Sequence, residues 1–136
     1  MQSKKALNVL TKEQRNKYLA DGFVGVEGLV SDEWLDRLRN VTASFVEESR
    51  AISASDKRFD LEPNHGFEAP RIRRLNSPVD FHEEYWAFAS RGPFAAVAED
   101  ILGPDFKFHH SKLNFKWGHG GEEVKWHQDI QFWPHT

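Results

Sequence analysis

The sequence predicts an α+β domain with its helices first and its strands second. Three observations carry this. Apolar residues recur at helical spacing as far as Leu102, Gly103-Pro104 then stops the pattern, and beyond it apolar and polar residues alternate. A share of eleven Phe and five Trp against two Tyr adds the buried area that a core or a lined pocket needs.

In chain order, Thr11-Lys-Glu-Gln14 reads as a capping box that opens a short helix, which Asp21-Gly22 ends with a left-handed cap. Phe23 to Val26 reads as a brief strand. Ser31 caps a second helix, with Asp32 and Glu33 suited to its positive first turn. Trp34, Leu38, Val41 and Phe45 form its stripe, widened by Leu35 and Val46, and it runs to about Arg50. Residues 51–70 lose periodicity and carry Pro63, Asn64, Gly66 and Pro70, so a long loop is expected. Residues 71–75 alternate like a strand. Asp80 and Glu83 read as a second capping box, followed by Phe81, Tyr85 and Phe88 on one face.

The strongest helical signal comes next. Pro93 suits a first turn, and Phe94, Val97, Ala98, Ile101 and Leu102 follow at i, i+3, i+4, i+7 and i+8. Residues 106–117 then read as a strand with His110, Lys112 and Asn114 on one face and Leu113, Phe115 and Trp117 on the other. Residues 118–121 form a glycine-rich turn, and 124–133 read as a second strand. Both strands are expected to pair mainly with sequence outside this chain.

Composition excludes several classes of function. With no cysteine there is no disulfide scaffold, zinc ribbon or thiol nucleophile. A net charge of −3 with both signs interspersed offers no basic stripe for nucleic acid. The basic N-terminus lacks an apolar stretch behind it, and no run approaches membrane-spanning length. The expectation is a cytoplasmic protein that binds neither nucleic acid nor membrane.

The residues that carry chemistry are Trp126-His127-Gln128-Asp129. Residues i and i+2 of a strand share a face, with alpha carbons about 6.5–7 Å apart. His127 and Asp129 would therefore converge on one ion, and a second imidazole would complete the facial triad of an Fe(II) oxygenase. Seven histidines and nine aspartates yield about 0.5 such pairs by chance, so the bare pattern is weak. A competing cluster, His82-Glu83-Glu84, falls in a helical pattern, where i and i+2 face apart.

Context separates the two. The run Lys112-Leu-Asn-Phe-Lys-Trp-Gly-His-Gly-Gly-Glu-Glu-Val-Lys-Trp-His-Gln-Asp129 resembles the first metal strand of the phytanoyl-CoA dioxygenase family. Upstream, an opening helix, Asp-Gly-Phe-Val at 21–24 and a long helix introduced by Ser-Asp-Glu match as well, so the resemblance covers essentially the whole chain. It implies helices packed on a double-stranded β-helix barrel of the jelly-roll or cupin type. It also implies Fe(II)- and 2-oxoglutarate-dependent hydroxylation of a small organic substrate by dioxygen, with His127 and Asp129 as the first two metal ligands.

Lys112 falls where the strand before the motif faces the cosubstrate, and Arg74 where a basic residue approaches it. Each reads equally well as a solvated surface cation. Trp133, on the face of His127 and Asp129, either lines a substrate pocket or fills the barrel, and Phe132 flanks the site. His109, His110 and His119 read as solvated or hydrogen-bonded residues.

The family's third ligand, a histidine, and the arginine that anchors 2-oxoglutarate belong to the second half of the barrel, and no residue after Thr136 supplies them. His135 lies too close along the strand. The chain therefore reads as the N-terminal part of a single dioxygenase domain, with 1–104 mainly helical and 105–136 forming the first barrel strands, and inactive alone. Two other readings stand beside this one. One is a non-catalytic jelly-roll ligand-binding module that keeps the motif, and the other is a structural metal site built from His109, His119 and His127.

Overall fold

A computed structural model describes residues 7–132. The capping box at Thr11 forms as the sequence predicts. The Thr11 hydroxyl accepts from the Gln14 N–H at 3.1 Å, and the Gln14 side chain accepts from the Thr11 N–H at 2.9 Å. Helix α1, Lys12–Asp21, ends at Gly22, whose φ of 81° suits a residue without Cβ. None of its residues is buried, so packing of an apolar face does not hold it in place.

Its ends do. The carboxylate of Asp100, 7% exposed, accepts the backbone N–H groups of Asn8, Val9 and Leu10 at 2.6, 2.8 and 2.9 Å. Arg15 Nε donates to the Asp100 carbonyl at 2.8 Å. Burial alone would push the Asp100 carboxyl up, but the backbone donors of Asn8, Leu10 and Val9 outweigh it and hold it below the usual range.

A depressed folded-state pKa contributes stability above the unfolded value, near 3.9, that is lost as pH falls through the folded one. Asp100→Ala should therefore cost about 1.5–3 kcal/mol at pH 7, read as a lower Tm. The gap to the unaltered protein should narrow below about pH 4. A gap that stayed constant down to pH 2 would contradict the role of the charge.

Helix α2, Asp32–Ser49, is capped by Ser31 and buries Val41, Phe45 and Ser49. Strand β1, Phe59–Leu61, pairs antiparallel with β2, Ile72–Asn76, which pairs antiparallel with β3, Lys112–Asn114. The register aligns Phe59, Leu75 and Leu113 in one row and Asp60, Arg74 and Asn114 in the next. The first row meets α2. Val41, Phe45, Phe59, Ile72 and Leu75 form the core, with Phe81, Tyr85 and Phe115 packed against it.

After β2 come α3, Pro78–Phe81, α4, Glu83–Arg91, and α5, Pro93–Leu102. Tyr85 on α4 shares a 2.6 Å hydrogen bond with Thr42, and Glu84 pairs with Arg37 at 2.6 Å, fastening α4 to α2. The fold class is α+β, with a small open sheet beneath helices. Among the described residues no helix is long and apolar enough to cross a membrane.

Several sequence expectations change. The loop expected at 51–70 contains β1, a three-residue strand too short to show a period. It is introduced by an Asp56 turn whose carboxylate accepts from the N–H groups of Arg58 and Phe59 at 2.7 and 2.6 Å. Residues 23–26 form no ladder; Val24 and Val26 instead line a groove with Phe94 and Val97. The second capping box does not form, because His82, not Asp80, caps α4 and accepts the Glu84 N–H at Nδ1.

The strand expected at 106–117 reduces to β3, and none forms at 124–132. Alternation marks a strand only where a neighbour completes the ladder. Among the described residues no strand lies beside 124–132, which expose Val124, Trp126, Ile130 and Phe132.

Candidate metal centre

The route from the sheet to the candidate ligands is fixed at its start. Beyond β3, Phe115 N–H donates to the Arg73 carbonyl at 3.0 Å. Trp117 stacks on Phe115 with ring centroids 5.8 Å apart, and its Nε1–H donates to the Ile72 carbonyl at 2.7 Å. The chain then turns through His119, Gly120 and Gly121 at φ of 57°, 114° and 120°, a run that glycine makes feasible. Glu122 follows, and its N–H is 3.1 Å from each carboxylate oxygen of the buried Glu62.

Five residues later, His127 Nδ1 lies 2.6 Å from the Lys125 carbonyl. A carbonyl oxygen only accepts, so Nδ1 carries the hydrogen and a neutral ring presents its lone pair at Nε2. That nitrogen lies 3.3 Å from Asp129 Oδ1. The two side chains meet across extended backbone, as the i, i+2 spacing predicts, although no strand ladder forms there. Gln128 between them is extended at φ −103° and ψ 129°, so both side chains project to one side, and Asp129 then opens a 3-10 turn, Asp129–Gln131. Phe132 closes one side, its ring edge-on to His127 with centroids 5.4 Å apart. The imidazole is 29% exposed and the carboxylate 74%, so the pair is open to solvent and to a further donor.

Two lone-pair acceptors facing each other at 3.3 Å need positive charge between them, supplied either by a proton on Nε2 or by a cation. For donor–metal distances of about 2.1 Å, adjacent ligands on one ion stand about 3 Å apart. The pair fits an ion, and the Nδ1–H···O=C bond is the kind of outer contact that fixes a ligating imidazole. Neutral imidazole with carboxylate suits iron or manganese better than a thiolate-seeking metal. Among the described residues no group of three or more His, Asp or Glu could hold a metal ion.

The remaining sequence candidates separate. Arg74 Nε donates to Asn114 Oδ1 at 3.1 Å, and its Nη1 lies 3.7 Å from Asp60. Lys112 stands opposite Asn76, two positions from Arg74 on β2, so it shares Arg74's face. Both cations thus occupy the sheet face opposite the row that packs on α2. His109 and His110 share a 2.7 Å contact between their Nδ1 atoms, and no three-donor cluster joins them or His119 to His127. Trp133 and His135 lie outside the described residues.

His82 stands at the N-cap of α4, the helix that Glu83 and Glu84 open as the sequence pattern suggested. His82 itself is extended at φ −154°, and its Nδ1 is used in capping α4. Sequence reasoning missed Glu62 and the indole bond of Trp117 altogether, because neither belongs to a spacing pattern.

Residues 18–136 match the family model described as "Phytanoyl-CoA dioxygenase (PhyH)". Over 124 residues the chain is 25% identical to a probable alpha-ketoglutarate-dependent hypophosphite dioxygenase of Stutzerimonas stutzeri, covering 91% of this chain and 43% of the relative. An ectoine dioxygenase of Bordetella bronchiseptica is 30% identical over 133 residues, covering 95% and 40%. The peroxisomal phytanoyl-CoA dioxygenase of Homo sapiens is 27% identical over 133 residues, covering 93% and 39%. The chain thus spans about two fifths of the length of these curated relatives. No solved structure matches it.

Proposed function

The chain belongs to the phytanoyl-CoA dioxygenase family, and from that premise we propose that His127 and Asp129 are two ligands of the mononuclear Fe(II) centre of a 2-oxoglutarate-dependent dioxygenase. The observation that carries this is the 3.3 Å approach of Nε2 to Oδ1, with Nδ1 tied to a backbone carbonyl. The third ligand, a histidine, and an arginine for the far carboxylate of 2-oxoglutarate come from sequence beyond Thr136. That sequence also pairs with β3 and with residues 124–132 to complete a jelly-roll barrel. The reaction is hydroxylation of a small organic substrate, a class supported by the ectoine dioxygenase among the relatives, whereas the hypophosphite dioxygenase is named for an inorganic one.

When bound, iron and 2-oxoglutarate would activate dioxygen, which is the oxidant: 2-oxoglutarate would give up two electrons and leave as succinate and CO2 with one oxygen atom, and the other oxygen atom would go to the substrate. The residues of this chain bind and orient. The Lys125 carbonyl holds the His127 ring in the tautomer that leaves Nε2 free to ligate. Phe132 shields one side of the imidazole and keeps water from it. Lys112 offers an ammonium to a carboxylate of the cosubstrate. Arg74 contributes to the same positive face with its charge partly offset by Asp60.

The purified 136-residue chain should form no succinate above background from 2-oxoglutarate and Fe(II), because two ligands without an anchor leave iron weakly held. A coupled succinate assay reads this. Iron-dependent succinate formation by this chain as a monomer would contradict the assignment of the third ligand to later sequence.

A further inference from the structure

Glu62 is a buried carboxylate that the chemistry above does not use. It is 4% exposed, directly after β1, and both of its oxygens stand 3.1 Å from a single donor, the N–H of Glu122. Burial of a carboxylate is costly unless it is well partnered, and one N–H is a modest return for that cost.

What the contact achieves is placement. Residues 118–121 contain three glycines, and positive φ at three successive positions is a conformation with many alternatives. Two tethers hold this loop. Trp117 Nε1–H to the Ile72 carbonyl fixes its start on β2, and Glu62 fixes its end. Lys116 adds a 2.7 Å bond from Nζ to the Glu122 carbonyl across the loop's mouth. From Glu122 the chain runs five residues to His127 with no ladder to guide it. At no more than about 3.5 Å per residue, that lever reaches up to about 17 Å. A 10° swing at its base then moves the imidazole by up to about 3 Å, enough to break a ligand set.

We propose that Glu62 is a positioning residue for the metal centre, setting where His127 is presented by anchoring the base of the segment that carries it. This rests on the reading of His127 and Asp129 as ligands. A merely structural Glu62 would lower stability on removal and leave metal affinity unchanged.

The experiment uses the protein with its natural downstream sequence and Co(II) as the probe, following the visible ligand-field absorption through a titration, with a melting curve for each variant. Glu62→Ala should weaken Co(II) binding at least tenfold and alter the band shape. Glu62→Gln, which keeps an acceptor oxygen, should recover most of the affinity. If Glu62→Ala does not melt cooperatively, Trp117→Phe deletes the other tether while keeping the ring, and it should weaken binding in the same way. Unchanged affinity and spectrum in folded Glu62→Ala, with only the Tm lowered, would overturn the positioning role. Equal Co(II) binding by unaltered protein and by His127→Ala would overturn the ligand assignment itself, and the role of Glu62 with it.

Discussion

Replacing Phe45 by alanine should cost about 3–5 kcal/mol, a large part of the roughly 5–15 kcal/mol that holds a small domain folded. Phe45 is 2% exposed at the centre of the core. Its ring lies 6.4 Å from that of Phe59 and 6.2 Å from that of Tyr85, so α2, the sheet and α4 all lose a shared contact. The Arg58 guanidinium also sits 5.5 Å from the ring centre. A cavity bounded by short strands on one side collapses poorly, which places the expected cost toward the upper end. The Tm should fall by more than about 10 °C. Phe23→Ala is the comparison, since that ring is 66% exposed and its loss should cost under about 1 kcal/mol. Similar losses in the two variants would contradict this core.

The sequence was legible where a local signal and its physical cause coincide. The caps at Thr11 and Ser31 and the stripe of α2 are written in neighbouring residues and form as expected. So does α5, bounded by Pro93 and Gly103. The strands were less legible, because a ladder needs a partner that spacing does not reveal. β1 escaped notice for this reason, and 124–132 showed alternation without forming a strand.

The candidate site divides along the same line. His127-x-Asp129 was visible as a motif in context, and so was the shared side of its two side chains. They share a side because Gln128 between them is extended, without the strand ladder the sequence led one to expect. The anchor at Glu62 joins residues sixty positions apart and leaves no periodic trace. At His82-Glu83-Glu84 the helical pattern was legible for the two carboxylates, which open α4, but not for His82, which is extended and caps it.

In the protein extended by its natural downstream sequence, His127→Ala and Asp129→Ala should each reduce 2-oxoglutarate turnover to background. Removing Nε2 or the carboxylate leaves one donor from this chain where two converge at 3.3 Å. The loss should appear as weakened Fe(II) binding with little change in Tm, because the Asp129 side chain is 74% exposed and neither residue belongs to the core. His82→Ala makes the contrast. It removes the cap of α4 and a ring 6.3 Å from Phe45, so it should lower stability by about 1 kcal/mol and leave turnover largely intact.

The most direct measurement is an anaerobic Fe(II) titration of these three variants beside the unaltered protein, with succinate formation and melting followed on the same samples. The account predicts lost iron affinity and lost succinate in the His127 and Asp129 variants at near-native Tm, and a lower Tm with retained turnover in the His82 variant. Full iron binding and turnover in Asp129→Ala would remove the carboxylate from the centre and contradict the account.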